Sequence, residues 1–539
     1  MNLRSVPVLA LPTLTLLAVL SLGVTGVPLV TSAPDAGAAG EAVTPAAGGQ
    51  VCVTGAATPD EDAALLLLTA LDDDVDAVAS RGTVLTLGPE VARQAFGPSA
   101  PGTLDRLDVG LGAEGWLWVG WADRPVAAWQ EWRVDGVPGL PRGVAASSCL
   151  PTDPRVQTVL GLRTDGGFES LLRLANPFEV DATFAVTFVT EAGVAEPIAL
   201  RNVSVPAGER VTVRLNDHVP EEADVAAVVT VGAGRLAVEG LQRSVAAVGG
   251  IEGVAVVPPV TAPSTTWTFP WLPVGPDVDG AVWVLNPEPR PVVVELTLHT
   301  PQGADVPLED SVEIAAGAVV RLSTADLVSD GSRAHYGLTL RSESTGVLAA
   351  AGGTFLADDP ARTGLVAFVG AAGSDGEWSV AGAVLDGRDT ALHVVNLDEV
   401  AVSPRVVLTT VRRDAAPAPV EGETVETDEN DAPVPPTAMQ PDERVTVVIE
   451  AGTLAPGATM RIPLPVEGAR AFSAVVDGGR ALVVARTTTG RELLEPVAVA
   501  ASPATAWRLS NRPLAGRALD GWVASLPAGR SDADAAAPR

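Results

Sequence analysis

An internal repeat of about 110 residues constrains the fold of this chain more than any other feature of its sequence. Segments 172–177, 282–287 and 392–397 align, and their asparagines lie 110 residues apart in both steps. That period is too long for a helical hairpin or a propeller blade, and it matches an immunoglobulin-like β-sandwich. An asparagine that bonds its own backbone, followed by a proline that fixes φ, is typical of a turn after a buried strand. The residues interpreted as repeat-marking turns are Asn176, Pro177, Asn286, Pro287 and Asn396.

The composition of the chain favours β structure throughout. Hydrophobic residues make up 47% of it, which is enough for packed cores, and 54 glycines and 45 prolines fit many turns. Short valine-rich stretches alternate with turn residues, and long runs at the helical period are scarce. We therefore predict an all-β fold, with an N-terminal β-rich domain followed by three tandem immunoglobulin-like β-sandwich repeats.

The repeat period divides the 539 residues into six predicted segments. Repeat 3 carries an acidic, proline-containing insertion at 415–442, which is typical of a solvated loop at a sandwich edge. Trp507 begins either a fourth repeat that stops early or a segment that completes the sheet of repeat 3. The segments are 1–39, a signal peptide or membrane anchor; 40–151, an N-terminal Trp-rich β domain closed by a disulfide; 152–262, 263–373 and 374–504, the three sandwich repeats; and 505–539, a partial repeat with a polar tail.

Two further markers recur in the repeats. A tryptophan opens repeat 2 at Trp267 and repeat 3 at Trp378, whereas repeat 1 has no tryptophan near Gln157. A glycine turn is followed by an arginine in each repeat, and we align these arginines with one another. They are Arg214, Arg321 and Arg461.

Residues 50–150 are interpreted as a domain of a different kind. The leucine run 65–68 follows a Thr-Pro-Asp-Glu sequence, and it fits a capped helix start and a buried strand equally well. Residues 116–121 predict a strand, and a second strand after the next turn would carry Trp129 and Trp132.

The N-terminus predicts export. Arg4 precedes an apolar run over residues 6–30, and Ala36-Gly37-Ala38 has the pattern of a signal cleavage site. The run is also long enough to span a bilayer, which takes about 20 residues, so a cleaved signal and an uncleaved anchor both fit. We expect an extracytoplasmic protein, secreted or anchored to the cell membrane by this segment, with no other membrane contact.

The two cysteines, Cys52 and Cys149, predict a disulfide. In an exported protein two cysteines most often pair, and this pair would close a loop of 98 residues. Chain-entropy estimates give about 4–5 kcal/mol of stabilisation for a loop of that length. A metal site is the alternative, but it needs more ligands at short spacing, and the sequence has none near either cysteine. We predict no metal and no other cofactor.

The charge of the chain limits its partners. The net charge is −31, and all 35 positive residues are arginines. Binding of nucleic acid or anionic lipid needs basic clusters, so we expect neither partner. An acidic surface keeps a protein soluble and is also used in salt adaptation, and the lack of lysine fits a GC-rich genome.

Motifs around the second cysteine and the repeat starts resemble a known family. Residues 143–151 read Gly-Val-Ala-Ala-Ser-Ser-Cys-Leu-Pro and precede a Leu-x-Leu-Ala-Asn-Pro repeat start. The pattern is similar to an actinobacterial family of exported proteins catalogued only as a domain of unknown function. The resemblance covers roughly residues 52–489, and this chain departs from it at 156–158, where the family has a tryptophan. It implies a setting in the cell envelope of a GC-rich Gram-positive organism and brings no catalytic residues.

The sequence contains no recognisable catalytic motif. It lacks the zinc-protease helix, the nucleophile elbow and the Ser-x-x-Lys motif, and the absence of lysine excludes P-loops and Schiff-base chemistry. The histidines lie far apart, and His393 aligns with Arg173 and Trp283, so we expect structural roles for all four. They are His218, His299, His335 and His393.

Two acidic hypotheses remain weak on sequence grounds. A pair of carboxylates across a cleft in residues 50–150 would make a glycosidase-like hydrolase, but sequence cannot place such a pair. Asp72-Asp73-Asp74-Val75-Asp76 starts like a calcium loop. Ala77 replaces the required glycine and Thr83 the bidentate glutamate, so we predict a solvated turn there.

The tryptophan cluster of the N-terminal domain is the best candidate for a binding surface. Tryptophan rings stack on sugars and could line a groove, but in a chain with one tyrosine they are also the obvious core filler. The possible ligand platform consists of Trp116, Trp118, Trp121, Trp129 and Trp132.

These observations favour a protein that is not an enzyme. The leading hypothesis is a non-catalytic exported cell-envelope protein that acts as a β-sandwich scaffold or interaction module and contacts an envelope protein or a glycan. The alternatives are a carbohydrate-binding envelope protein and, less favoured, a glycosidase-like hydrolase. Fold analogy does not choose among them.

Overall fold

The computed structural model describes most of the chain between residues 47 and 503, and for some strand residues it describes the backbone alone. The predicted signal or anchor at 1–39, the acidic insertion at 415–442 and the segment 505–539 lie outside the described residues. All described residues belong to one compact unit. The described residues are 47–52, 62–69, 80–87, 92–99, 104–108, 116–122, 126–134, 143–150, 152–244, 251–275, 277–303, 305–307, 311–328, 335–343, 345–355, 364–383, 388–412, 443–490 and 500–503.

The described residues of the N-terminal domain form eight strands in two antiparallel sheets. They are β1 (Ala47–Cys52), β2 (Asp62–Thr69), β3 (Ser80–Leu87), β4 (Ala92–Ser99), β5 (Leu104–Asp108), β6 (Trp116–Ala122), β7 (Val126–Val134) and β8 (Gly143–Ser148). The first sheet has the order β1-β6-β3-β4, and the second has the order β5-β2-β7-β8. The leucine run 65–68 lies in β2 and is therefore strand, not helix.

Repeat 1 is built on the same strand order. Its strands are β9 (Val156–Leu162), β10 (Phe168–Ala175), β11 (Ala182–Thr190), β12 (Gly193–Ala195), β13 (Val203–Val205), β14 (Arg210–Arg214), β15 (Val225–Ala233), β16 (Ala237–Ser244) and β17 (Gly253–Val257), with 3-10 turns at Ile198–Leu200 and Leu215–Asp217. The sheets run β12-β11-β15-β9, with β13 also on β11, and β14-β10-β16-β17.

Repeat 2 copies repeat 1 strand for strand. Its elements are β18 (Thr266–Phe269), β19 (Val278–Leu285), β20 (Val292–His299), β21 (Asp305–Pro307), β22 (Val312–Ile314), β23 (Val319–Ser323), α1 (Thr324–Leu327), β24 (Gly337–Ser342), β25 (Leu348–Phe355) and β26 (Gly364–Val369). The sheets run β18-β24-β20-β21, with β22 also on β20, and β23-β19-β25-β26.

In repeat 3 one long strand takes part in both sheets. The strands are β27 (Asp375–Ala383), β28 (Arg388–Asn396), β29 (Arg405–Arg412), β30 (Glu443–Glu450), β31 (Thr459–Pro463), β32 (Ala471–Gly490) and β33 (Ala500–Pro503). The first half of β32 pairs with β27 and β29, and its second half pairs with β28 and β33. These pairings reproduce the strand order of the other repeats.

The shared strand order corrects one sequence interpretation. The N-terminal domain pairs its strands in the order of the repeats, so it is a fourth copy and not a domain of a different kind. The all-β prediction is confirmed, because the described secondary structure is almost entirely strand.

Alternation along the strands builds the sandwich cores. In β11, Ala182, Phe184, Val186 and Phe188 are buried, and the residues between them are only partly covered. Successive side chains of a strand point to opposite faces of the sheet, so one face of β11 lies against the second sheet. Repeats 1, 2 and 3 each contain a large cluster of buried hydrophobic residues built in this way.

The three marker asparagines form the turns that the sequence predicts. Asn176, Asn286 and Asn396 are fully buried. Each side-chain NH₂ donates to three backbone carbonyls at 2.7–3.2 Å, and each side-chain oxygen accepts the N–H of the second residue after it. Leu397 in place of proline leaves this network unchanged. The asparagine therefore satisfies backbone groups at the strand-to-turn junction that would otherwise be buried without partners.

A side chain on the first strand of each sandwich bonds the backbone of the facing sheet. Trp267 and Trp378 donate their indole N–H to the carbonyls of Val347 and Leu482, both at 2.7 Å. In repeat 1 the amide of Gln157 donates to the carbonyl of Leu236 at 2.8 Å. Gln157 is thus the functional replacement for the missing tryptophan, because its amide reaches the same register position.

The structure shifts one of the sequence alignments. Across the second sheet, Trp283 pairs with Arg321 and His393 pairs with Arg461, whereas Arg173 pairs with Thr212. Thr212, and not Arg214, therefore corresponds to the two arginines of the later repeats. The register position lies four residues after the turn glycine in all three repeats, and the sequence comparison followed an arginine that lies two residues farther along in repeat 1.

The predicted disulfide joins the first strand of the N-terminal domain to its end. Cys52 and Cys149 are bonded, with Cα atoms 4.6 Å apart, and both are buried. Beside this bond, Val51 and Leu150 exchange backbone hydrogen bonds at 2.7 and 2.8 Å. The disulfide therefore closes the edge at which the two sheets of the sandwich meet.

The four sandwiches contact one another in a closed cycle. The last strand of each touches the last strand of the next, in the order β8, β17, β26, β33 and back to β8. In each step the first strand of one sandwich also lies near the second sheet of the following one. We call the contact between repeats 1 and 2 the 1–2 joint and the contact between repeats 2 and 3 the 2–3 joint.

Candidate binding sites at the joints

Three of the five candidate tryptophans are buried inside joints. Trp116 and Trp118 pack with Ala175 and Ala237 of repeat 1, and Trp118 meets Phe178 edge to face at 6.1 Å. Trp116 and Trp118 are at most 1% exposed. A sugar-stacking platform needs accessible rings, so these two do not form one.

Trp129 lies at the opposite joint of the same domain. It packs with Ala381, Val411 and Ala471 of repeat 3 and is 1% exposed. The side chains of Trp121 and Trp132, the remaining members of the predicted platform, lie outside the described residues. The cluster therefore does not converge on one surface: its described rings bind two different neighbours.

Buried polar side chains join the N-terminal domain to both ends of the repeat array. Glu131 forms an ion pair with Arg486 of repeat 3, and the two side chains are 5% and 1% exposed. On the other side, Gln130 donates to the carboxylate of Glu239 in repeat 1 at 2.6 Å. A charge buried in this way is destabilising unless its partner is in place. These contacts therefore favour the one arrangement in which the N-terminal domain packs against both repeat 1 and repeat 3.

At the 1–2 joint a large ring of repeat 2 fits against a glycine of repeat 1. A Cβ atom on Gly161 would lie 2.5 Å from the ring of Trp283, and Gly161 has φ +77°. The indole N–H of Trp283 donates to Asp224 of repeat 1 at 2.5 Å. Only glycine combines this backbone conformation with room for the ring.

An ion-pair network surrounds the Trp283 ring. Arg321 bonds Asp279 and lies 3.6 Å from Asp224, and Arg163 lies 3.6 Å from Asp279. These four side chains and Trp283 line a cavity of about 210 Å³ between the two repeats. Gln242 and Thr354 add neutral polar groups to its wall. The two arginines and two aspartates of the pocket neutralise one another, and apolar residues complete its wall.

The 2–3 joint brings together three of the four histidines. His299 is buried and contacts the carbonyl of Gly457 at 3.0 Å and the hydroxyl of Thr339 at 2.8 Å. The rings of His335 and His393 lie 5.5 Å apart, edge to face. Sequence reasoning expected isolated histidines, and it missed this grouping because the residues come from separate strands and loops of two repeats.

The charge state of two of these histidines is strongly affected by the joint. Burial, and then the positive charges of His335 and Arg461, lower the pKa of His393 well below its usual range. Burial and the charge of Arg461 also lower the pKa of His335. The Nε2 atom of His393 contacts the hydroxyl of Thr487 at 2.9 Å. The joint therefore favours the neutral form of both rings.

A second cavity, of about 380 Å³, opens beside these histidines. Arg461 contributes its charged group, His335 an imidazole, and Thr453 and Thr459 hydroxyls. None of the described residues that line it is acidic. The charge of the cavity wall is therefore opposite in sign to the net charge of the chain.

The described residues offer no metal centre and no glycosidase pair in the N-terminal domain. Among them, no group of three or more His, Cys, Asp or Glu is arranged to hold a metal ion. Glu131 is the buried carboxylate among the described side chains of that domain, and its partner is an arginine. The candidate calcium loop at 72–76 lies outside the described residues. Within the part of the chain that the structure describes, no helix is long and apolar enough to cross a membrane.

Comparison with known families identifies a match over the middle of the chain. The family described as "Family of unknown function (DUF5719)" matches residues 122–403. This chain belongs to DUF5719. The resemblance inferred from the cysteine and asparagine motifs is thereby confirmed. A search of curated proteins finds no match to the chain.

The DUF5719 match contains one joint in full. Every residue that lines the 1–2 pocket falls between 122 and 403, whereas the 2–3 pocket takes most of its lining from residues beyond 403. Within the DUF5719 region, repeats 1 and 2 are complete, and the N-terminal domain and repeat 3 are represented by their joining strands.

Proposed function

We propose that this DUF5719 protein is a non-catalytic, exported cell-envelope protein that acts as a rigid β-sandwich scaffold or interaction module. The observation that carries the proposal is the closed cycle of four sandwiches, locked by the buried Glu131–Arg486 pair. Domains joined by small polar contacts normally move relative to one another. Buried rings and a buried ion pair at successive joints favour a fixed arrangement of outer surfaces instead.

Three features support the envelope setting. The apolar segment within residues 1–39 has the composition of an export signal or anchor. The Cys52–Cys149 disulfide is typical of an oxidising compartment. The net charge of −31 keeps the surface soluble and disfavours nucleic acid as a partner.

The proposal is tested by locating the chain and then opening its cycle. The full-length chain, tagged at the C-terminus, is produced in an actinobacterial host, and intact cells are treated with protease. We expect the tag to be cleaved from intact cells and the protein to fractionate with the envelope or the medium. Retention in the cytoplasm, protected from protease, would contradict export.

A matched variant tests the scaffold role. Arg486→Gln removes the locking charge of repeat 3, and Arg405→Gln removes an exposed arginine of the same repeat. We expect Arg486→Gln to lower the amount of envelope material that co-purifies with the chain, and Arg405→Gln to leave it unchanged. Equal recovery with folded Arg486→Gln would argue against a function that depends on the closed cycle.

Carbohydrate binding is a second candidate, and the 1–2 pocket is the observation that favours it. The pocket combines an indole edge with amide, hydroxyl and ion-paired groups, which suits the hydroxyls of a single sugar. Glycan-array binding that is lost in a Gln242→Ala/Thr354→Val variant would support this function. Unchanged binding in that variant, or none in the wild type, would exclude this pocket.

A further inference from the structure

We propose that the cavity at the 2–3 joint binds a small anionic ligand through a phosphate or carboxylate group, with Arg461 and His335 as the anion-binding residues. This site goes beyond the scaffold role and does not depend on it. The cavity, at about 380 Å³, falls within the range of small-molecule sites.

Arg461 is the central residue because its charge has no ion-pair partner among the described residues. It lies on β31, pairs through the backbone with His393 of β28, and is only partly exposed. In the part of the chain that the structure describes, its guanidinium makes no hydrogen bond and no ion pair. A guanidinium presents a planar fork of donors that fits the two oxygens of a carboxylate or phosphate. A partly buried arginine of this kind is poised for an anion from outside.

In the 1–2 joint, the arginine at the matching position is neutralised by carboxylates. Arg321 occupies the register position of Arg461, opposite Trp283 where Arg461 is opposite His393. Arg321 is neutralised by Asp279 and Asp224. The two joints have the same backbone pairing at this position. The difference between Arg461 and Arg321 is therefore caused by the side chains around them and not by the backbone.

The residue that makes the difference is His335. It immediately precedes Tyr336, whose carbonyl accepts the N–H of Leu272 in the way that Val225 pairs with Leu162 in repeat 1. His335 therefore stands where Asp224 stands in the 1–2 joint. The exchange replaces the carboxylate near the arginine with a group that can carry positive charge. Asp389 holds the register position of Asp279, and its side chain lies outside the described residues.

The rest of the cavity wall completes an anion site. The hydroxyls of Thr453 and Thr459 can donate hydrogen bonds to an oxyanion, and the described lining contains no acidic residue. In a chain with a net charge of −31, such a wall is a local exception. A bound anion would offset the repulsion among Arg461, His335 and His393. Binding is therefore expected to be tighter at pH 6 than at pH 8, since protonation of His335 adds a charge-assisted donor.

Calorimetric titration of the full-length protein tests the site. The probes are inorganic phosphate, glucuronate as the carboxylate, and glucose as the neutral control, each at pH 6 and pH 8. The variants are Arg461→Gln, which removes the fork, and His335→Asp, which supplies the carboxylate that Arg321 has. Arg405→Gln, which removes an exposed arginine of the same repeat, is the control. Thermal unfolding of each variant verifies that it is folded.

We expect the wild type and Arg405→Gln to bind an anion but not glucose, and Arg461→Gln and His335→Asp to lose at least about tenfold in affinity. Tighter binding of phosphate identifies a phosphate ligand, and tighter binding of glucuronate identifies a carboxylate. Binding of neither anion by the wild type at millimolar concentration would overturn the proposal. So would wild-type affinity in folded Arg461→Gln.

Discussion

The 1–2 joint and the 2–3 joint place different side chains on the same backbone frame. In the 1–2 joint, Gly161 of repeat 1 makes room for the Trp283 ring of repeat 2. In the 2–3 joint the sizes are reversed: Trp271 stands at the position of Gly161, and its ring lies 5.8 Å from that of His393. Protein interiors are close-packed, so a gain of volume on one side of a joint needs a loss on the other.

The two joints also differ in the charged side chains around their arginines. Asp224 and Asp279 neutralise Arg321 in the first, whereas His335 replaces the first of these carboxylates beside Arg461 in the second. The first joint is therefore an internally satisfied contact. In the second, Arg461 has no ion-pair partner within the described part of the chain and two histidines are held neutral, so the stability of this joint should depend on pH and on ligands.

The largest expected effect breaks the packing of the 1–2 joint. Trp283→Ala removes a buried ring and its bond to Asp224, and we expect a loss of about 4 kcal/mol in the free energy of unfolding. His393→Ala at the matching position removes a smaller ring and should cost about 2 kcal/mol. Urea titration of both variants measures the difference. Equal losses would contradict the expectation that the larger ring contributes more to the stability of its joint.

The glycine side of the same joint gives the next effect. Gly161→Ala should destabilise by about 2–3 kcal/mol, because the methyl group clashes with Trp283 and the residue has positive φ. Gly166→Ala is the matched control: its φ is +54°, and no atom lies within 4 Å of the added Cβ. In a Trp283→Ala background the cost of Gly161→Ala should fall to that of the control. A cost that stays unchanged there would exclude the clash as its cause.

Acidification should weaken the 2–3 joint. The folded pKa of His393 lies below that of the unfolded chain, near 6.5, so the unfolded state binds more protons as the pH falls below about 6.5. Its stabilising contribution is present above that pH and is lost below it. Arg461 and His335, the charged groups that face His393, both oppose its protonation.

Unfolding free energies at pH 8 and pH 5 measure this effect. His393→Gln should reduce the loss of stability on acidification, whereas His218→Gln should keep it, because His218 stacks on Phe188 within repeat 1, away from the 2–3 joint. The same pH dependence in wild type and His393→Gln would contradict the account of this joint.

Three copies of the sandwich can be predicted from the sequence, but the fourth, the N-terminal domain, cannot. The asparagine turns are readable because buried side-chain amides tolerate few replacements, and the disulfide was predicted from two cysteines in a chain expected to be exported. The N-terminal domain has Thr69 where the repeats have asparagine, so it escaped detection. Gln50 was the one available signal, because it corresponds to Gln157 of repeat 1. Each glutamine comes one residue before a bridged residue, and each accepts a backbone N–H, from Ala128 and Val238 respectively.

The joints could not be predicted, for a physical reason. A tryptophan that fills a core and one that fills an interface have the same hydrophobic signature, so Trp118 and Trp129 gave no sign that they face different neighbours. Likewise His335 and His393 meet only because two sandwiches pack head to tail. Periodicity within a strand determines which face is buried, but not what covers it.

A double-mutant cycle on Glu131 and Arg486 tests most directly whether the four sandwiches close on themselves. The two residues lie in the first and last sandwiches, and their side chains form a buried ion pair. We predict that Glu131→Gln and Arg486→Met each cost about 3 kcal/mol in the free energy of unfolding, and that the double variant costs much less than their sum. Additive losses would contradict the closed cycle, because residues without contact do not couple.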